Sequence, residues 1–172
     1  MEVVRVAPFL DYWEKVRGRT RRVVDRIPEE RLEWAWKPGK FTLGDLVRHL
    51  AGIERWMYAE NAQRLPSRYP GHGAALAAGL PAVRRYFERL HEESMEIFRG
   101  LSDADLAARC VTPAGAEITI GKWLRLMIEH EIHHRGQIYL SLAMLGVETP
   151  PLYGLTSEEV RARSLPGREE EP

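Results

Sequence analysis

The chain has 172 residues, room for one domain with a sizeable core that needs no disulfide or metal staple to fold. Apolar residues make up 44% and charged residues 29%, a balance that excludes an intrinsically disordered chain. Its 25 basic residues cancel 25 acidic ones, so no net field draws it to nucleic acid or acidic lipid, and no apolar run approaches the roughly 20 residues of a membrane span.

In chain order, the first expected helix runs from about Pro8, a good first-turn residue, to about Arg26 before Pro28. Phe9, Tyr12, Trp13, Val16, Val23 and Ile27 recur along it mostly at threes and fours. Arg17, Arg19, Arg21, Arg22 and Arg26 share this helix and are read as solvated arginines on a bundle face, so no nucleic-acid partner is expected. The second helix opens with Thr42-Leu43-Gly44-Asp45, a hydroxyl cap with an acid three residues on, and fades near Asn61–Leu65.

From Ser67 to Gly79 the sequence reads as a long loop. A third helix is expected from about Pro81 to Gly100, and 107–118 is irregular, with an end compatible with extended backbone. The fourth helix starts after Thr119 and closes at Gly146, a good left-handed cap, and a short helix follows from Ser157. Four helices of this length predict an all-α fold, a four-helix bundle spanning residues 1–164 as one domain, with 165–172 as a disordered tail. Cys110, the only cysteine, is expected to be an inert packed thiol. With no leader-like or membrane-spanning segment, the expected compartment is the cytoplasm.

The chemistry concentrates in Glu129-His130-Glu131-Ile132-His133-His134-Arg135-Gly136-Gln137 on the fourth helix. Residues four apart share a helix face, so His130 and His134 can present their imidazoles to one divalent ion. Ile120, Leu124, Met127, Ile138, Leu142 and Leu145 define the buried stripe. On a helical wheel His134 lies about 50° from its centre, His130 about 85° and His133 about 145°. The ligand pair is therefore His130 with His134, and His133 points outward. Glu131 lies near the stripe's centre and needs a buried partner such as an imidazole, a water or an arginine.

A third ligand must come from elsewhere. His49 is the best candidate, standing among Leu46, Leu50 and Ile53 on the second helix, whereas His72 and His91 read as ordinary surface. Three such ligands would leave coordination positions open to water or substrate.

Three segments carry a resemblance to a known family. They are Trp34-Ala35-Trp36-Lys37-Pro38-Gly39-Lys40-Phe41-Thr42-Leu43-Gly44-Asp45-Leu46-Val47-Arg48-His49-Leu50-Ala51, His130-Glu131-Ile132-His133-His134-Arg135-Gly136-Gln137-Ile138, and Leu145-Gly146-Val147-Glu148-Thr149-Pro150-Pro151-Leu152-Tyr153-Gly154. The chain resembles the DinB family of DinB/YfiT-like metalloenzymes. The resemblance implies a four-helix bundle in which His49, His130 and His134 hold zinc, nickel or a similar divalent ion, frequently in a homodimer. It also implies chemistry on a small molecule, with thiol S-transferases that use low-molecular-weight thiols among its members.

The leading expectation is thus a divalent-metal-dependent enzyme of thiol-transferase-like or hydrolase type, in which a thiol or water at the ion would lose its proton near neutral pH. Its catalytic group is then the thiol or water itself, with Glu131, His133, Arg135 and Gln137 as candidate supporting residues. The alternative is a non-enzymatic metal-binding or interaction bundle. A weaker one is a metalloprotease, since His130-Glu131-Ile132-His133-His134 matches H-E-x-x-H literally and Glu158 or Glu159 follows at a plausible distance.

Overall fold

The computed structural model describes residues 2–164, so the expected tail at 165–172 lies outside the described residues. Four long elements build an all-α bundle. They are α1 (Val6–Val24), α2 (Leu43–Ile53) running on through a π-helical turn (Glu54–Ala59) into α3 (Glu60–Ala62), α4 (Leu80–Arg99) and α6 (Ile120–Met144). Short elements fill the connections: 3-10 turns at Glu29–Arg31 and Ala74–Leu76, helix α5 (Asp103–Ala107), a hairpin of β1 (Arg109–Val111) and β2 (Glu117–Thr119), and a final helix α7 (Ser157–Ser164). Helices α1 and α2 each pack against both α4 and α6, so α1 faces α2 across the bundle.

The termini follow from the local chemistry. Thr42 accepts from the Asp45 N–H at 2.9 Å while Asp45 accepts from the Thr42 N–H at 3.1 Å, which satisfies two donors at the start of α2. Gly146 takes φ of 71° just past α6, where a β-carbon would be strained. Two features depart from the sequence reading. Ser102 and Asp105 form a second reciprocal cap that starts α5. The expected irregular stretch at 107–118 contains the hairpin, with Cys110 opposite Ile118 and the turn closed by Gly115 N–H donating to Thr112 O at 2.8 Å. Cys110 is buried there, and burial pushes its thiol above its ordinary pKa, which suits packing rather than reactivity.

The core falls into two apolar clusters. One holds Val23, Leu43, Val47, Leu50, Val83, Phe87, Leu90, Ile138 and Leu142; the other holds Phe9, Trp13, Val16, Tyr58, Ala59, Phe98, Ile120, Leu124 and Met127. Each long element changes cluster part-way, and a buried polar residue stands at the change: Arg17 on α1, Glu54 at the π-turn, His91 on α4 and Glu131 on α6. Arg17 is ion-paired with Glu54 and stands 3.4 Å from Glu131. His91 has Nδ1 at 2.9 Å from Glu54 Oε1 and Nε2 at 2.9 Å from Glu14 Oε2. A charged layer therefore crosses the middle of the bundle.

That layer corrects two expectations. Arg17 is not solvated but 0% exposed, whereas Arg21, Arg22 and Arg26 keep partial or full exposure while contacting Glu14 and Glu88, Leu152 O and Glu148 O respectively. His91 is not surface, because it follows Phe87 by four residues and precedes Ser94 by three, on the buried stripe of α4.

Close packing also fixes Gly121, at the start of α6. A β-carbon there would stand 2.1 Å from Val3 O, whose own amide donates to Gly121 O at 3.3 Å. Gly121→Ala is expected to destabilise the fold by about 1–3 kcal/mol through overpacking, read as a lowered urea midpoint at unchanged slope. A midpoint equal to wild type would show that the N-terminal segment moves aside freely.

Candidate metal centre

Helix α2 carries His49 and helix α6 carries His130 and His134, and the two helices pack directly. The structure brings the three imidazoles together, with one ring nitrogen of each within 4.8 Å of the others. Ring centroids are 5.0 Å apart for His49–His130, 4.6 Å for His49–His134 and 4.4 Å for His130–His134. His49 is buried and the other two are half-buried, so one side of the group stays accessible.

Protonation follows from this setting. Burial, then the neighbouring rings of His134 and His130, pulls His49 down to about 3, and burial with His134 and His133 pulls His130 down to about 4. Burial also lowers His134, against a hydrogen bond that its ring donates to Gln137 and that favours its charged form. All three are neutral at physiological pH, the form in which imidazole ligates metals.

The outer nitrogens are held. His49 Nδ1 lies 2.6 Å from the Tyr69 hydroxyl and His134 Nδ1 lies 2.7 Å from Gln137 Oε1. An amide oxygen only accepts, so His134 carries its proton on Nδ1 and leaves Nε2 bare. Gln137 Nε2 in turn donates to His133 Nε2 at 3.1 Å, which fixes the amide's orientation.

These residues fit a divalent ion. His49 Nε2 and His130 Nε2 face each other at 3.1 Å, close to the roughly 3.3 Å that separates two imidazole nitrogens on one tetrahedral zinc. Bare lone pairs at that distance repel, so a proton or a cation must lie between them. Neutral imidazoles on buried, packed helices suit zinc, nickel or copper better than calcium or magnesium.

The remaining expected residues separate clearly. His133 is exposed and stands behind the group, its ring edge-on to His134 at 4.9 Å between centroids and its Nε2 accepting from Gln137. Glu131 is buried and turned to Arg17, the arginine partner that its position on the stripe required. Arg135 is also buried, its Nη1 donating to Val16 O at 3.3 Å. Glu158 and Glu159 are exposed on α7 and stand outside the histidine group.

Sequence reasoning missed the loop residues. Tyr69, Phe41 and His72 close over the site, with Phe41 4.1 Å from His72, 5.4 Å from His49 and 6.4 Å from His134 between ring centroids. His72, expected at the surface, is half-buried against Phe41. Loop residues have no periodicity to mark them, although Gly52 leaves a trace, since a β-carbon there would meet Tyr69 Cε2 at 3.3 Å. Tyr69→Phe is expected to weaken zinc binding about 10-fold by freeing the His49 ring, with helical content unchanged, as calorimetry and circular dichroism would show. An unchanged dissociation constant would mean that packing alone orients His49.

The chain matches the DinB superfamily profile over residues 12–138. It belongs to the DinB superfamily. YrdA, an uncharacterized protein of Bacillus subtilis, is 24% identical over 159 residues, covering 88% of this chain and 89% of that protein. A DinB-like protein from Bacillus cereus superposes with a TM-score of 0.73 at 19% identity, over 87% of this chain and 98% of that one. YfiT from Bacillus subtilis, described as a probable metal-dependent hydrolase with an unusual four-helix bundle topology, superposes with a TM-score of 0.66 at 19% identity, over 83% of this chain and 89% of that one. Those structures share the fold with this DinB-superfamily chain. Among the described residues, no helix is long and apolar enough to cross a membrane.

Proposed function

We propose that this protein is a metal-dependent enzyme that holds one divalent ion, zinc or nickel, on His49, His130 and His134 and acts on a small molecule by thiol-transferase-like or hydrolytic chemistry. The observation that carries the reading is the convergence of three neutral imidazoles, two of them braced from behind, on one accessible point. Family membership and the likeness to YfiT support it.

When bound, the ion would supply a fixed positive charge that favours the ionised form of a thiol or water presented to it. The chain's own residues do the rest. Tyr69 and Gln137 hold the outer ring nitrogens, so the inner ones need not reorient. Phe41 forms an apolar wall that thins the water around a reacting group and strengthens electrostatics there. Glu131, occupied by Arg17 inside the core, does not serve as a general base, which disfavours the protease reading of the H-E-x-x-H pattern.

The test is turnover of metal-loaded protein with a low-molecular-weight thiol plus a model electrophile, and separately with an activated ester. Activity should vanish in His134→Ala; activity that survives this change would refute the assignment. A second reading, a metal-stabilised bundle without turnover, draws on the way the triad ties α2 to α6. It gains if a chelator sharply lowers the melting temperature while no substrate class responds. Homodimerisation and a cytoplasmic location belong to the same proposal, and sedimentation velocity tests the first.

A further inference from the structure

Beside the triad, and opening directly on His134, lies a cleft of about 680 Å³ between α6 and the loop that leads into α2. Its walls are Trp36, Phe41, Leu46, Leu140 and Met144, with Gln137 and Ser141 as polar points. This size and mixture are those of a small-molecule site. Three of the walls are large apolar side chains left open to solvent, Trp36 at 56%, Leu140 at 62% and Met144 at 57%. Three such residues around one concavity make a patch that a ligand would cover, whereas scattered singly they would mean little.

The charges are one-sided. No acidic residue lines the cleft. Its single cation is Lys40, in a chain where Arg17, Arg21, Arg48, Arg55 and Arg68, among others, are tied to carboxylates. Among the described residues, no carboxylate stands within ion-pairing distance of Lys40. A cation with no internal partner, set on the rim of an apolar cleft that contains no acid, is complementary to an organic anion.

We propose that this cleft binds the substrate, and that the substrate is a small organic anion with an aromatic or alkyl body. The body lies along Trp36, Leu140 and Met144, the acid group meets Lys40, and the reacting end lies toward His134. The inference rests on the small-molecule reading above and adds its substrate class. An apolar cation would meet only repulsion at Lys40, and a purely polar substrate would leave the three exposed walls wet.

A matched pair of probes tests it: anilinonaphthalene sulfonate and its uncharged counterpart N-phenylnaphthylamine, both fluorescent on entering an apolar site. The full chain is titrated with each, metal-loaded and after chelation. The sulfonate should bind about five-fold tighter, the size of one exposed charge pair, and Lys40→Gln should erase that preference while leaving the uncharged probe unchanged. Leu140→Asp, at a position too exposed to disturb the core, should weaken both probes. Equal affinity for the two probes in the wild type, or binding untouched by Leu140→Asp, overturns the proposal.

The ion and the cleft remain separable. A preference that vanishes on chelation but survives Lys40→Gln would place the anion on the metal, sinking the cleft assignment while the metal reading stands. A preference that persists in chelated protein and needs Lys40 upholds the cleft even if calorimetry finds no metal binding. Should Leu140→Asp instead dissociate a dimer, with neither probe bound by wild type, the apolar rim is an interface between copies and the proposal falls.

Discussion

Replacing Arg17 by methionine is expected to lower the unfolding free energy by about 3–5 kcal/mol, because it strands two buried carboxylates without their cation. For a chain of this size that corresponds to a fall in melting temperature of roughly 10 °C or more. Glu54 is 1% exposed and Glu131 2%, so neither can turn to water without opening the core. Methionine keeps an apolar stem of similar length but removes the guanidinium, whose carbon lies 4.1 Å from the Phe87 ring centroid, so the loss includes that cation–π contact as well as the ion pairs. Adding Glu54→Gln and Glu131→Gln should recover much of the stability, and a loss below about 1 kcal/mol for Arg17→Met alone would show that water reaches the layer.

The second large effect concerns the ion. His49→Ala, His130→Ala and His134→Ala should each weaken zinc or nickel binding by more than the roughly 10–100-fold that loss of a supporting residue costs. His133→Ala, which removes an exposed ring that touches the Gln137 amide and the outer side of His134, should cost no more than the supporting-residue range. Calorimetry on the four variants decides this, and a His133→Ala defect as deep as that of His134→Ala would overturn the ligand choice.

The pH dependence follows in sign from the lowered histidines. A histidine of ordinary pKa near 6.5 must shed a proton to bind metal at pH 6, and affinity falls as acid is added. Here His49 is pulled to about 3 and His130 to about 4, so both are already bare at pH 6. His134 is lowered as well, by burial, so affinity should fall less from pH 7 to pH 5 than three histidines of ordinary pKa would give. Proton release measured at pH 6 in two buffers should stay below one per ion, since His49 and His130 have none to shed; release of two or three protons per ion would show ordinary histidines.

What could be read beforehand divides along periodicity. Helix ends were legible because Thr42, Asp45 and Gly146 carry local chemistry, and His130 with His134 because spacing on one helix fixes their relative direction. Glu131 was legible as a buried acid in need of a partner, though which arginine answered it was not. That arginine sits 114 positions earlier in a run that looked solvated, and charge on an amphipathic helix does not reveal which single residue turns inward. His91 was obscured by its neighbours Glu88, Glu92 and Glu93, although its spacing from Phe87 and Ser94 matched the core. The residues that close the site, Phe41, Tyr69 and His72, come from loops, where tertiary contacts alone decide position.

The charged layer has one more consequence. Apolar side chains tolerate sliding, since leucine against leucine is nearly as good one turn along. A guanidinium between two carboxylates is not: shifting any one helix by a turn would leave a buried charge facing hydrocarbon. Arg17, Glu54, His91 and Glu131 thus act on the axial alignment of all four long elements at once, as a lone polar residue sets register in a coiled coil. Glu131 is the residue next to His130, and Glu54 follows His49 by five positions, so the same alignment that excludes slipped bundles also sets the height at which the imidazoles meet. An all-apolar layer of equal volume would make a more stable bundle with a less certain meeting point.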